Sequence, residues 1–185
     1  QFNLSQRFDM LVLETLFSVL HQHAGQRFSV NLLPATLMQK DSAAQIIALF
    51  KRYRVSPAYI TIEITEEQAF SNADTSMHNI QLLSEFGCAI AIDDFGTGYA
   101  NYERLKSLQA DIVKIDGCFV HEIESDQLDA IIVKSIIEIA RAKQLTVVAE
   151  YVETEAQKAM LLALGVDYLQ GYLIGKPQPL SELKA

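Results

Sequence analysis

The feature that most constrains how this chain can fold is an alternation of two periods. Short apolar runs at 28–32, 59–64, 88–92, 112–115, 146–149 and 166–169 are rich in Val and Ile, and several follow turn signals such as Gly25, Ser56-Pro57 and Gly87. Strands buried on both faces of a parallel sheet read this way, because neither face calls for a polar residue. Between the runs, apolar residues recur at three- and four-residue spacing, the mark of an amphipathic helix. The spacing predicts helices over 8–20, where Phe8, Leu11, Val12, Leu16 and Leu20 recur, and over 42–53, 75–86, 127–143 and 154–164. Gly87 and Gly165 stand where helix-ending glycines belong, and Thr154-Glu155-Ala156-Gln157 has the form of a capping box. Strand-then-helix alternation implies a parallel sheet with helices packed on it.

A length of 185 residues fits one domain spanning the whole chain. The net charge of −8 argues against an extended face for a nucleic-acid polymer. It leaves room for a small anionic ligand neutralised by a metal or a local basic group. No apolar run is long enough to span a bilayer, and the polar start at residues 1–7 does not resemble a signal peptide. Cys88 and Cys118 are far apart and read as reduced thiols in a cytoplasmic domain. His21 and His23, two apart, fall on different helix faces and read as a solvated helix end, not a zinc pair.

A second regularity sits on the first. Each apolar run carries a polar residue inside it or just past it: Asn31, Glu63, Asp93-Asp94, Lys114, Glu150 and Gln170. The intervals are 32, 30, 21, 36 and 20 residues, each the length of one βα unit. In a closed α/β barrel such strand ends converge on one mouth, where active sites of that fold lie. An open doubly wound sheet would gather them only near a switch point. Glu63, Asp93, Asp94 and Glu150 are hard oxygen ligands, and Asn31 adds a neutral oxygen. Carboxylates this close raise one another's pKa unless cations sit among them. Oxygen-rich ligation suits Mg²⁺ or Mn²⁺, and paired ions are the usual device for in-line displacement at phosphorus. Lys114, a charge within Ile112-Val113-Lys114-Ile115, would orient the attacking water or steady a phosphate oxygen, or else snorkel from an edge strand. Glu63 or Glu150 taken singly also reads as a helix cap or a solvated loop. Asp116 and Glu66 divide between bracing the site and a purely structural role.

The residues also resemble a known family. Ser29-Val30-Asn31-Leu32, Glu63-Ile64-Thr65-Glu66, Asp93-Asp94-Phe95-Gly96-Thr97-Gly98-Tyr99, Val113-Lys114-Ile115-Asp116, Ala149-Glu150-Tyr151-Val152-Glu153 and Gln170-Gly171-Tyr172, with Pro177 after, are similar to the motifs of bacterial EAL-domain phosphodiesterases. The match runs in order over essentially the whole chain. It implies a modified TIM-type (β/α)8 barrel. It implies hydrolysis of cyclic di-GMP to linear pGpG with two Mg²⁺ or Mn²⁺ ions per site, as part of bacterial signalling and biofilm regulation. By motif position, Asn31, Glu63 and Asp93 would bind the first metal, and Asp93, Asp94 and Glu150 the second. Lys114 would contact the nucleophilic water. Gln170 would position that end of the site, with Asp116, Glu153 and Pro177 on the substrate side. Glu66 would brace the loop that begins at Asp94. That loop, roughly 94–104, resembles the segment through which the family couples a homodimer to the metal site.

Three departures stand out. The Glu-Ala-Leu segment that names the family lies on its first strand, and this chain has no such segment; it would sit roughly 25 residues upstream, about one βα unit. Its glutamate is a metal ligand and its following arginine a phosphate contact. The expectation is therefore a barrel lacking its N-terminal strand by truncation, with weak turnover as it stands. Tyr151 replaces the glycine common after Ala-Glu, and Ala100-Asn101 replaces a common serine pair. The resemblance also admits upstream GGDEF, sensor or membrane domains, which would make this the cytoplasmic domain of an inner-membrane protein. Two alternatives stand beside the enzyme. One is a catalytically impaired EAL domain acting as a cyclic di-GMP receptor or regulatory module. The other is a different metal-dependent barrel enzyme acting on small carbon acids.

Overall fold

The apolar periods become helices and strands close to where the sequence puts them. In the computed structural model, which describes residues 2–23, 25–69, 74–96 and 110–182, the helices are α1 (Phe2–Val19), α2 (Pro34–Leu37), α3 (Ser42–Tyr53), α4 (Glu66–Ala69), α5 (Asp74–Phe86), α6 (Gly117–His121), α7 (Gln127–Ala142) and α8 (Glu155–Leu164). The strands are β1 (Phe28–Asn31), β2 (Ile60–Thr65), β3 (Ala89–Phe95), β4 (Ile112–Ile115), β5 (Thr146–Ala149) and β6 (Tyr168–Leu169). Residues 97–104 of the Asp94 loop, with the Ala100-Asn101 pair, lie outside the described residues.

Two units are distinguishable, residues 1–91 and 92–184, with β3 opening in the first and ending in the second. In the first, β1, β2 and β3 are neighbours in chain order. β1 and β2 pair in parallel, with Asn31 opposite Glu63. Ile60, Ile62 and Ile64 of β2 are buried together with the intervening Thr61 and Glu63, as a strand covered on both faces requires. Phe50 of α3 joins Phe17 of α1 and Phe86 of α5, with ring centroids 4.6 and 5.4 Å away. Two buried polar groups tie this unit together. Asp9 on α1 accepts hydrogen bonds from the Leu33 N–H at 2.9 Å and from Thr36 Oγ1. Asn79 on α5, fully buried, donates through Nδ2 to the Leu37 and Gln39 carbonyls, both at 2.8 Å, and accepts from the Ala43 N–H. His23 departs from expectation. It is buried, its ring packed edge-on to Phe28 at 6.0 Å between centroids, because the turn after α1 folds it back onto β1.

In the second unit, β3, β4, β5 and β6 follow one another, with β4–β5 and β5–β6 parallel. The core comprises Val113 and Ile115 of β4, Val147 and Ala149 of β5, and Val133, Ile137 and Ala140 of α7. The predicted capping box is formed: the Gln157 N–H donates to Thr154 Oγ1, and Gln157 Oε1 accepts from the Thr154 N–H, both at 3.0 Å. Gln157 also donates to the His121 carbonyl at 3.2 Å, which fastens α8 to α6. Cys88 is buried and Cys118 exposed, both as free thiols. Among the described residues, no helix is long and apolar enough to cross a membrane.

Asn79→Ala removes three hydrogen bonds from the first unit's interior, those to the Leu37 and Gln39 carbonyls and from the Ala43 N–H; the Gln39 carbonyl keeps its bond from the Ser42 N–H. The expected cost is about 2–3 kcal/mol, read as a lower urea midpoint at unchanged slope; a midpoint at the wild-type value would refute the role given to Asn79.

Candidate metal centre

The site begins where β3 stops being apolar. After Ile92 the strand continues through Asp93, Asp94 and Phe95. In a regular strand two successive side chains point to opposite faces. Asp94 instead has φ 54°, the left-handed region that Asp tolerates better than most residues. The strand alternation is thereby broken and the two carboxylates are free to converge. One oxygen each from Asp93, Asp94 and Glu150 lie within 4.8 Å of one another.

Glu150 is delivered by β5. Its N–H donates to the Ile115 carbonyl at 3.2 Å, so the parallel pairing with β4 runs on one residue past the strand and fixes the Glu150 backbone. Lys114 comes from β4, the strand between β3 and β5. Its residue exposure is 4%, and its ammonium reaches Asp93 Oδ1 and Glu150 Oε1, both at 2.8 Å. It is no edge-strand lysine snorkelling to water. A charge this buried persists only when it is paired.

Three carboxylates and one ammonium carry two negative charges in a small volume. Hard oxygen donors with that balance fit a divalent cation of the Mg²⁺ or Mn²⁺ type. The neighbours tune the cluster. Desolvation, then the Asp93 charge, then a hydrogen bond with Asp116 raise the Asp94 pKa above the usual carboxylate range. Asp116 goes the other way. Burial alone would raise it, but hydrogen bonds from the Cys118 side chain and backbone and from Asp94 outweigh burial and lower it. Asp116 thus does two things: it caps α6, accepting from the Cys118 N–H at 2.7 Å, and it braces Asp94.

Asp93, Asp94 and Glu150 line a cavity of about 530 Å³ together with Tyr151, Glu153, Gln170, Gly171 and Tyr172. Gly171 makes this wall possible. A Cβ there would fall 2.3 Å from the Val152 nitrogen and 2.4 Å from its oxygen, so the two backbones approach closely only at a glycine. Val152 donates to the Gln170 carbonyl and accepts from the Leu173 N–H, both at 3.0 Å, which holds the Gln170 turn against the chain after Glu150.

Of the residues singled out in the sequence, the second unit brings together Asp93, Asp94, Lys114 and Glu150, and adds Glu153 and Gln170 on the same cavity. Asp116 borders the adjoining cavity. Pro177 is exposed and does not line the carboxylate cavity. Asn31, Glu63 and Glu66 belong to the first unit, where Asn31 pairs in register with Glu63, and both glutamates are buried. The sequence reading assigned no role to Tyr151 or Tyr172 in the wall. The signal for Tyr151 was its place beside Glu150, where a glycine is common.

The EAL domain family model matches residues 1–177. The chain belongs to the EAL domain family. It is 64% identical over 186 residues to a probable cyclic di-GMP phosphodiesterase, PdeA of Escherichia coli (strain K12), an alignment that covers 98% of this chain. The chain spans 26% of the length of that relative. Among solved structures it is similar to the PaMucR phosphodiesterase in complex with c-di-GMP, with a TM-score of 0.92 at 36% identity, covering 98% of this chain and 81% of that one. It also resembles Klebsiella pneumoniae BlrP1, solved at pH 9.0 as a manganese/cy-diGMP complex, with a TM-score of 0.83 at 29% identity, covering 91% of this chain and 44% of that one. The fold class is the TIM-like α/β fold of the EAL structures, as the sequence implied.

Lys114→Met leaves Asp93 and Glu150 facing each other without their cation. The EAL domain is then expected to lose about 3 kcal/mol of stability in EDTA, and to regain part of it when Mg²⁺ or Mn²⁺ is added. Melting at the wild-type temperature would show that the ion triad is not holding the strand ends together.

Proposed function

We propose that this EAL domain is a metal-dependent phosphodiesterase that hydrolyses cyclic di-GMP to linear pGpG and so lowers the level of that second messenger. The observation that carries the reading is the cluster of Asp93, Asp94 and Glu150 around Lys114, opening on a cavity lined by Gln170, in a chain of this family. Asp93, Asp94 and Glu150 would hold one divalent ion, and Asn31, Glu63 and Asp93 would serve a second. Two such ions, when bound, neutralise the phosphodiester and activate water for in-line attack.

The protein's own groups do the rest. Lys114 holds Asp93 and Glu150 in place before substrate arrives, so no reorganisation of these charges is needed during the reaction. Its ammonium, shared by Asp93 and Glu150, would also contact the attacking water. Gln170 and Glu153, polar groups of the cavity wall, would orient the nucleotide. Asp116 keeps Asp94 turned inward, and by the family pattern Glu66 would brace the loop that begins at Asp94. One EAL domain of residues 1–185 in the cytoplasm, a homodimer through the 94–104 region and linkage to upstream GGDEF, sensor or membrane domains complete the proposal.

The test is turnover of cyclic di-GMP to pGpG by the full-length protein with Mg²⁺, with Mn²⁺ and with EDTA. Turnover with either ion and none in EDTA is expected. Tight binding of cyclic di-GMP with no product would favour the receptor alternative instead. Asp93→Asn, which removes the carboxylate assigned to both ions, is expected to abolish detectable turnover. Near-normal turnover in that variant would dismiss the two-metal assignment.

A further inference from the structure

Tyr151 is an unusual residue in an unusual place. It follows Glu150 directly and holds φ 54°, a genuine outlier for a bulky side chain. The residue is 65% exposed, so burial does not account for the strained backbone. The base of the side chain nonetheless packs closely against Gly117, where an added Cβ would come within 2.3 Å of Tyr151 Cδ2, 2.5 Å of its Cγ and 2.8 Å of its Cβ. Nothing but a glycine at 117 leaves room for it.

The place is as informative as the strain. Tyr151 lines the carboxylate cavity and also the neighbouring cavity that contains Asp116, Cys118 and Glu153. With Glu153, it borders both. Tyr172 borders the carboxylate cavity too, with Lys176 Nζ 5.5 Å above its ring. Two exposed aromatic rings at the rim of an oxyanion-handling site suit a ligand with a planar ring a short distance from a phosphate. Aromatic rings stack on any nucleobase, and a ring packed at its base has less motion to lose on doing so.

We propose that Tyr151 is a substrate-binding residue of this EAL domain: its ring is the platform on which a purine base of the substrate stacks while the phosphodiester meets Asp93, Asp94 and Glu150. Gly117 is the residue that positions it. The proposal rests on the phosphodiesterase reading above and adds to it the residue that recognises the base.

The test measures kcat and KM for cyclic di-GMP in the full-length protein and in Tyr151→Phe, Tyr151→Gly and Gly117→Ala. Removing one stacked ring is expected to raise KM about tenfold or more, with kcat falling far less. Tyr151→Phe keeps the ring and a KM close to wild type. Gly117→Ala displaces the ring and moves KM in the same direction as Tyr151→Gly. Tyr151→Gly relieves the strained φ, so its melting temperature is expected to equal or exceed wild type, which a merely structural tyrosine would not allow. Calorimetric titration with GMP and with ribose 5-phosphate, both with Mg²⁺, separates base from phosphate: Tyr151→Gly should weaken GMP and leave ribose 5-phosphate unchanged. An unchanged KM in Tyr151→Gly, or equal weakening of both probes, would overturn the proposal. Absence of wild-type turnover would sink the phosphodiesterase reading instead, and the two probes alone would then decide on Tyr151.

Discussion

One buried ammonium organises the second unit. Lys114 stands on β4, between the strands that carry Asp93 and Glu150, and its Nζ touches a carboxylate on each side at 2.8 Å. Without it, two carboxylates on either side of β4 would repel in a poorly solvated place. With it, the ends of β3 and β5 are drawn to a common point, and that point is the floor of the cavity. The parallel registers then carry the effect outward. Glu150 donates back to Ile115, Gln170 to Ala149, and the chain after Gln170 closes against Val152. The wall of the site is thus hydrogen-bonded, residue by residue, to the strands that present the charges.

The backbone is unusual at two matching places. Asp94 and Tyr151 both sit in the left-handed region, and each is the residue directly after a carboxylate held by Lys114. A left-handed residue costs about 1–2 kcal/mol relative to the right-handed form. Such outliers persist where the surroundings over-determine them, and they gather at functional sites. Here both departures turn the chain at the point where a regular strand would send the next side chain away. At Asp94 the turn adds a third carboxylate; at Tyr151 it presents a ring.

Much of the fold was legible because it depends on period alone. Helix α3 and strands β4 and β5 lie on the residues read from spacing, and the capping box at Thr154 needs only local sequence. The short helices α2, α4 and α6, of four or five residues, passed unnoticed because a single turn is too brief to show a helical repeat. β3 runs on through Asp93 to Phe95, past the apolar run that ended at Ile92, because a lysine from the next strand makes a charged residue tolerable there. That compensation is a cross-strand fact invisible in a local window. The same holds for His23, buried by the turn that returns onto Phe28, and for Tyr151, whose conformation depends on a glycine 34 positions earlier in the chain. The ligand-type residues were legible for the opposite reason: polar groups ending apolar runs at βα intervals conflict with burial, and the conflict itself is the signal.

That conflict also says what the cluster is for. A buried ion network is a poor investment in stability, since apolar side chains of similar volume in the same place are often as stabilising or more so. β4 is otherwise apolar, and Val113 and Ile115 flank Lys114 with almost no exposure. A leucine or methionine at 114, with apolar partners at 93 and 150, would satisfy the packing of β3, β4 and β5 without desolvating any charge. The chain instead keeps three carboxylates and one ammonium, a net negative pocket, and two strained residues that aim side chains into it. Folding alone gives no return on that arrangement. A divalent cation does, because three carboxylates about one ammonium offer it hard oxygen donors and two negative charges to neutralise.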